Sequence, residues 1–153
     1  MRNIFILYMP PGNGEAMIHY QDTIKNKVSQ DRIFKHIDNK LQSKLKSIFG
    51  SGSIATWGSR SGENNKLRFS KMQPGDDVLI IEGDNIKLLG KIADKTVSPD
   101  LSRELWKNIK GDNIDGWDLI YFIANPVEIN LPFTKLKQLF HYKDTWSLRG
   151  FTN

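Results

Sequence analysis

The sequence predicts an α+β domain. Its sheet is curved and mixed, mainly antiparallel, partly closed into a barrel and flanked by helices. Three observations carry this. Apolar and polar patterns give the element order β, α, α, β, β, β, α, β, β, α, β, which mixes hairpins with single helices instead of repeating a βαβ unit. Tight turn signals, Pro74-Gly75-Asp76 and Gly83-Asp84-Asn85, bracket the apolar run Asp77 to Glu82. Gly90 stands inside the next strand pattern, where a glycine marks a bulge or a close backbone approach of the kind that bends a sheet.

Each element has its own signal. Asn3 to Met9 is a short apolar run that reads as a buried strand, broken by Pro10-Pro11-Gly12-Asn13-Gly14. That loop is read as chain reversal or as the border of a ligand pocket. Asp22 or Thr23 is placed to cap a short helix through Val28, and Ser29 to cap a longer one from about 30 to 49. Ile33, Ile37, Leu41, Leu45 and Ile48 form its apolar stripe, Phe34 and Phe49 widen it, and Gly50 closes it. Gly52 to Trp57 reads as the central strand. The span 59–70 has no clear period, and Leu67 and Phe69 are expected to anchor it as a turn or short helix. Asp77 to Glu82 and Ile86 to Lys95 read as a hairpin. Ser98, Pro99 and Asp100 open a helix to about 109. Trp117 to Ala124 is strand-like, Pro126 interrupts it, and Val127 to Leu131 resumes as an edge-like segment. Pro132 opens a helix from Phe133 to about His141, and 145–153 reads as extended.

Composition bounds the chemistry. The 153 residues suit a single domain, expected to be the N-terminal module of a longer protein. There is no cysteine, which excludes a disulfide framework, a thiol nucleophile and a Cys-based zinc site, and suits a reducing compartment. The first apolar run is too short for a signal peptide and none is long enough to span a bilayer, so a cytosolic protein without membrane partners is expected. Net charge is +5, which permits a polyanionic partner. Residues 1–50 hold eight Lys/Arg against four Asp/Glu, so the surplus lies on the early helical part and suits a solvated helix face as well as a phosphate track.

Catalytic signatures are missing: no G-x-x-x-x-G-K-[ST], no H-E-x-x-H and no G-x-S-x-G. His19, His36 and His141 read as surface or capping residues, and Asp76-Asp77 as turn chemistry. Asp112, Asp115 and Asp118 lack the pattern of a calcium loop. No catalysis, cofactor or metal is expected.

Four tryptophans in an otherwise polar domain stand out, and three adjoin loops: Trp57, Trp106 and Trp117. An indole is either packed core or a plate on which a base stacks, worth about 1–3 kcal/mol per base. Two facing rings would hold one extruded base. A methyl group on that base adds about 0.8 kcal/mol of apolar burial. The cations Arg60, Lys66, Arg68 and Lys71, with Lys143 and Arg149, read as phosphate contacts or as ordinary surface charge.

The run A-T-W-G-S-R, then N-N-K-L, M-Q-P-G-D-D-V-L-I-I, I-K-L-L-G-K-I, G-W-D-L-I-Y-F and I-N-L-P-F-T-K, resembles the YTH and EVE modules of the PUA-like superfamily. The helical E-L-W-K between strands also resembles the modified-base-reading domains at the N-terminus of McrB-type restriction subunits. The similarity covers about Ile54 to Phe133. It implies a non-enzymatic reader that flips a modified base of double-stranded DNA into an aromatic cage. Trp57 would be one wall and Trp106 the second, with Ser59 contacting the base. Trp117 would match the Trp of the family's D-W-I strand, although the order here is G-W-D. Tyr8 or Asn13 would supply a polar contact near the first strand, where Pro10-Pro11 departs from the family pattern. An NTPase domain in the same chain and a nuclease subunit are the partners implied.

The expected function is therefore the targeting part of a modification-dependent restriction system, reading N6-methyladenine or a modified cytosine. Two rivals stand beside it: an RNA-binding YTH-like reader of N6-methyladenosine, which needs no flipping of a paired base, and a PUA-like interaction or small-molecule domain whose tryptophans are merely packed.

Overall fold

The structure, a computed structural model, describes residues 3–12, 14–106 and 117–135. Asn13, Lys143, Arg149, the end of the helix expected to 109, most of that expected from Phe133 to His141, and the extended segment expected over 145–153 lie outside the described residues.

Among the described residues five strands form one sheet: β1 (Ile4–Met9), β2 (Ala55–Ser59), β3 (Asp77–Glu82), β4 (Asn85–Val97) and β5 (Leu119–Pro132), in the spatial order β1-β3-β4-β5-β2. β1 runs parallel to β3, and every other pairing is antiparallel. The sheet curls into a half-barrel, giving the α+β architecture expected. The cause lies in β4 and β5, whose register shifts three times along their length. Each bulge adds local twist and bends the strand that carries it. Gly90 sits within one of these shifts, and a β-carbon there would lie 2.4 Å from Cγ2 of Ile123, so only glycine lets the strands approach so closely.

Local chemistry explains the turns. Gly83 has φ 58°, and with Asp84 it links Glu82 to its antiparallel partner Asn85. The buried Asp76 carboxylate accepts hydrogen bonds from the backbone N–H groups of Gln73 (2.8 Å) and Asn3 (3.0 Å), closing its own turn and tying β1 to it. Pro126 does not end its strand. Asn125 takes φ 50° before it, and β5 continues to Pro132, paired beyond Ala124 with β4 alone.

The helices differ from expectation in several places. α1 (Glu15–Tyr20) starts well before Asp22 and runs into a π-helical turn, Gln21–Lys25. Thr23 lies in that turn and donates to the carbonyl of His19. The long helix expected from 30 to 49 is two: α2 (Gln30–Phe34) and α3 (Asn39–Phe49). Asp38 accepts from the N–H of Leu41 at 2.8 Å and so starts a new helix. The Gln42 side chain donates to the carbonyls of Phe34 and Ile37, which satisfies the end of the old one. Ile33 and Leu45 are buried, while Ile48 is exposed. Residues 63–71 form α4, held by Phe69; Leu67, expected as a second anchor, faces solvent. α5 (Pro99–Leu105) is capped by Ser98, whose hydroxyl accepts from Leu101 N–H at 3.1 Å. Among the described residues no helix is long and apolar enough to cross a membrane.

Among the described residues, the strand placed at the centre by sequence ends the strand order: β2 pairs there with β5 only, yet all five of its residues are buried. It lies in the main core with Val78, Ile80, Leu88, Ile92 and Ile120. A second cluster, Leu79, Ile81, Ile86 and Phe133, fills the other face of β3 and β4, as strand alternation requires.

Candidate functional site

Four elements bring aromatic side chains together. β2 carries Trp57, opposite Tyr121 of β5. Trp106 follows the last residue of α5, Trp117 stands two residues before β5, and α1 supplies His19 and Tyr20. α5 is held at both ends. The N–H of Ser98 donates to the carbonyl of Asp118 at 3.0 Å, and Glu104 pairs with Arg32 (3.2 Å) and Lys35 (3.4 Å). The hydrogen bond from Arg32 holds the Glu104 carboxyl below the usual carboxylate range.

The rings meet edge to face or tilted. Trp57 and Trp117 lie 5.3 Å apart at 76°, and Trp106 and Trp117 5.5 Å apart at 54°. His19 is 4.5 Å from Trp117 and 5.6 Å from Trp106. All three indoles are at most 1% exposed, so the loop-side plates expected from sequence form a closed cluster. Offset and T-shaped contacts of this kind stabilise by about 0.5–1.5 kcal/mol per pair beyond area burial.

The polar atoms of this cluster are not satisfied. Among the described residues, Nε1 of Trp57, Trp106 and Trp117 and both ring nitrogens of His19 are buried and have no hydrogen-bond partner. Ser102 Oγ, one helical turn before Trp106, is likewise unpartnered. Native proteins leave few such groups, and each costs about 1–3 kcal/mol. Glu15 Oε1 stands 3.9 Å from His19 Nε2, beyond hydrogen-bond length. Burial, with the Arg60 guanidinium adding to it, lowers the His19 pKa to about 4, so the imidazole is neutral at pH 7. His19 was read from sequence as a surface or capping residue; it is 1% exposed and lies inside the cluster. Its helix has six residues, too few for a periodic signal to place it.

The other residues expected at the site divide. Ser59 is buried beside the indoles, but its hydroxyl is 2.7 Å from that of Tyr121. Tyr8 alternates with Leu7 and Met9 on β1, at the opposite edge of the sheet, so it faces away from the core those two enter. Arg60 follows β2 and lies 3.6 Å from Glu15. Lys66 and Lys71 are exposed on α4, and Arg68 is half-buried. α4 is fixed next to β2: Asn65 donates to the carbonyl of Arg60 at 3.0 Å, Phe69 packs on Tyr121, and Lys95 caps the carbonyls of Phe69 and Ser70. Sequence reasoning missed Tyr121 and Gly58 as well. Their roles come from partners 48 to 62 residues away in the chain.

Among the described residues no three His, Asp or Glu side chains could together hold a metal ion. Neither of two surface hollows is lined by Trp57, Trp106, Trp117 or His19: one of about 430 Å³ lies beside Phe49 and Pro126, and one of about 290 Å³ is reached by the cluster only through Tyr20.

No family model matches the sequence, and no curated protein does either. Among solved structures, the chain is similar to the N-terminal domain of Thermococcus gammatolerans McrB bound to m5C DNA, with a TM-score of 0.68 and 17% identity over 93% of this chain and 84% of that one. The chain has the fold of that McrB N-terminal domain.

Proposed function

We propose that this chain is a DNA-binding domain that takes one modified base out of a duplex and holds it among Trp57, Trp106 and Trp117. The observation that carries the reading is the set of five unpartnered ring nitrogens gathered in one aromatic cluster. Unpaired polar groups destabilise the closed cluster, and the polar edge of a base would pair them. The shared fold supports the reading, because the McrB domain is described bound to m5C DNA. Recognition of a modified base would make the chain the targeting part of a modification-dependent restriction system, with NTPase and nuclease functions supplied elsewhere.

A base sandwiched between two rings needs them about 7 Å apart, twice an aromatic contact distance of about 3.5 Å. The present spacings of 5.3 to 5.6 Å are shorter, so one ring must move. Trp106 is the candidate. Trp57 is fixed within a strand ladder, whereas Trp106 lies past the helical part of α5. An indole has about the area of a purine, so its displacement would leave a base-sized slot over Gly58. Extruding the base costs a few kcal/mol, which stacking of about 1–3 kcal/mol per ring and the new hydrogen bonds offset.

The test is a tryptophan-fluorescence titration with three matched duplexes carrying one 5-methylcytosine, one N6-methyladenine, or neither. The expected result is tighter binding of one modified duplex. Equal affinity for all three ends the modified-base reading, and no binding ends the DNA reading. A second reading, a PUA-like domain with purely structural tryptophans, is favoured by the near-complete burial of the three rings. Trp106→Ala separates the two. A core ring lost costs about 3–5 kcal/mol of stability with no change in DNA affinity. A cage wall lost weakens binding about tenfold or more.

A further inference from the structure

We propose that His19 is the residue that reads the polar edge of the extruded base, by accepting a hydrogen bond from its exocyclic amino group. This rests on the base-binding reading above and goes further, naming the group on the base that is recognised.

The inventory of the cluster leads to it. Its unpartnered indole groups are three N–H donors, and an indole nitrogen cannot accept. Each natural base presents at least one N–H on its pairing edge. Inside a site with donors alone, that N–H would be buried opposite other N–H groups. A neutral imidazole carries one donor and one acceptor. His19 sits against both Trp106 and Trp117, and among the described residues neither of its nitrogens has a hydrogen-bond partner, which leaves its acceptor for a ligand. Ser59, which the sequence offered for this contact, already has its hydroxyl against that of Tyr121. Among the described residues, Ser102 Oγ near Trp106 is also unpartnered and able to accept, and it provides the control. Cytosine carries its amino group at C4 and adenine at C6, the positions where thymine and guanine carry a carbonyl oxygen. An acceptor at His19 therefore separates 5-methylcytosine from thymine, two bases with the same methyl group.

The experiment compares two duplexes with each protein. One holds a single 5-methylcytosine, and the other holds 5-methylpyrimidin-2-one at that position, which lacks only the amino group. Because the cost of opening each duplex belongs to the DNA, it cancels when the ratio of the two affinities is compared between proteins. The wild type is expected to bind the amino-less duplex about ten- to hundredfold more weakly relative to the His19→Phe variant, the range for a buried hydrogen bond left unmade. His19→Phe keeps a ring in the cluster. His19→Gln keeps a neutral donor and acceptor, and is expected to restore discrimination in part. Ser102→Ala is expected to leave it unchanged. Thermal melts establish that each variant is folded, and the Gln variant serves if the Phe variant is not. An unchanged ratio in His19→Phe, or one lost in Ser102→Ala instead, overturns the assignment while the base-binding reading stands. A wild type that binds the 5-methylcytosine and unmodified duplexes of the fluorescence titration equally overturns that reading for 5-methylcytosine, and the assignment with it.

Discussion

The indole of Trp106 lies directly on Gly58. A β-carbon built at Gly58 would fall 2.7 Å from Cη2 and 2.8 Å from Cζ3 of that ring, and 2.9 Å from the carbonyl oxygen of Trp117. The backbone contact cannot yield easily, so the ring would have to move. Gly58→Ala is expected to destabilise the fold by about 1–3 kcal/mol, the usual cost of overpacking a filled core. Urea unfolding followed by tryptophan fluorescence measures it, and an unchanged midpoint would show that Trp106 is already free to move.

His19 makes stability depend on pH. Its folded-state pKa of about 4 lies below the unfolded value of 6.5. As pH falls from about 6.5 to 4, the unfolded chain takes up a proton that the native state refuses, so stability falls with acidification. The 2.5-unit gap corresponds to about 3 kcal/mol in total, and the His19 contribution levels off below pH 4. Unfolding free energies measured at pH 7, 6, 5 and 4 are expected to decline over that window. In His19→Phe the decline should be smaller by this amount.

Asp38 and Ser29 both occupy N-cap positions, with different consequences. The Asp38 carboxylate accepts from Leu41 N–H, whereas Ser29 makes no side-chain capping bond. Asp38→Ala is expected to cost about 1 kcal/mol. Ser29→Ala should stay within about 0.5 kcal/mol. Thermal unfolding of the two variants side by side checks the order.

These positions show what the sequence could convey. Pro74-Gly75, Gly83-Asp84 and Ser98-Pro99 act within a few residues of themselves, so the turns, the β3–β4 hairpin and the start of α5 were readable. The apolar stripe from Ile33 to Ile48 was readable too. The break within it was not, because Asp38 is a side-chain choice at one point in a continuous pattern. Gly14 provides no side-chain cap to announce α1, and Phe69 is the one buried apolar residue of α4, so neither gave a period. Sheet order depends on contacts distant in sequence, so nothing local showed that β1 runs parallel to β3 or that β2 lies at the edge. The tryptophans were legible as candidates. Their closure was not, because it depends on His19, Gly58 and Trp117 meeting from separate elements.

If the chain binds DNA as proposed, the lysines of α4 should set the salt dependence of that binding. Lys66 and Lys71 are exposed and form no ion pair among the described residues, so their charges are available to phosphate. The helix that carries them is fixed beside β2 by Asn65, Phe69 and Lys95, close in the fold to the strand that holds Trp57. Each phosphate contact releases condensed counterions and contributes about 0.9 to the slope of log affinity against log salt. Lys66→Ala and Lys71→Ala are each expected to lower that slope by about one contact and to weaken modified and unmodified duplexes equally, since phosphate contacts carry no base information. Lys40→Ala, on α3, is the comparison: an exposed cation on another helix should leave the slope unchanged. If Lys40 lowers the slope as much as Lys66, the DNA path runs across the early basic helices, and α4 only supports the wall behind Tyr121.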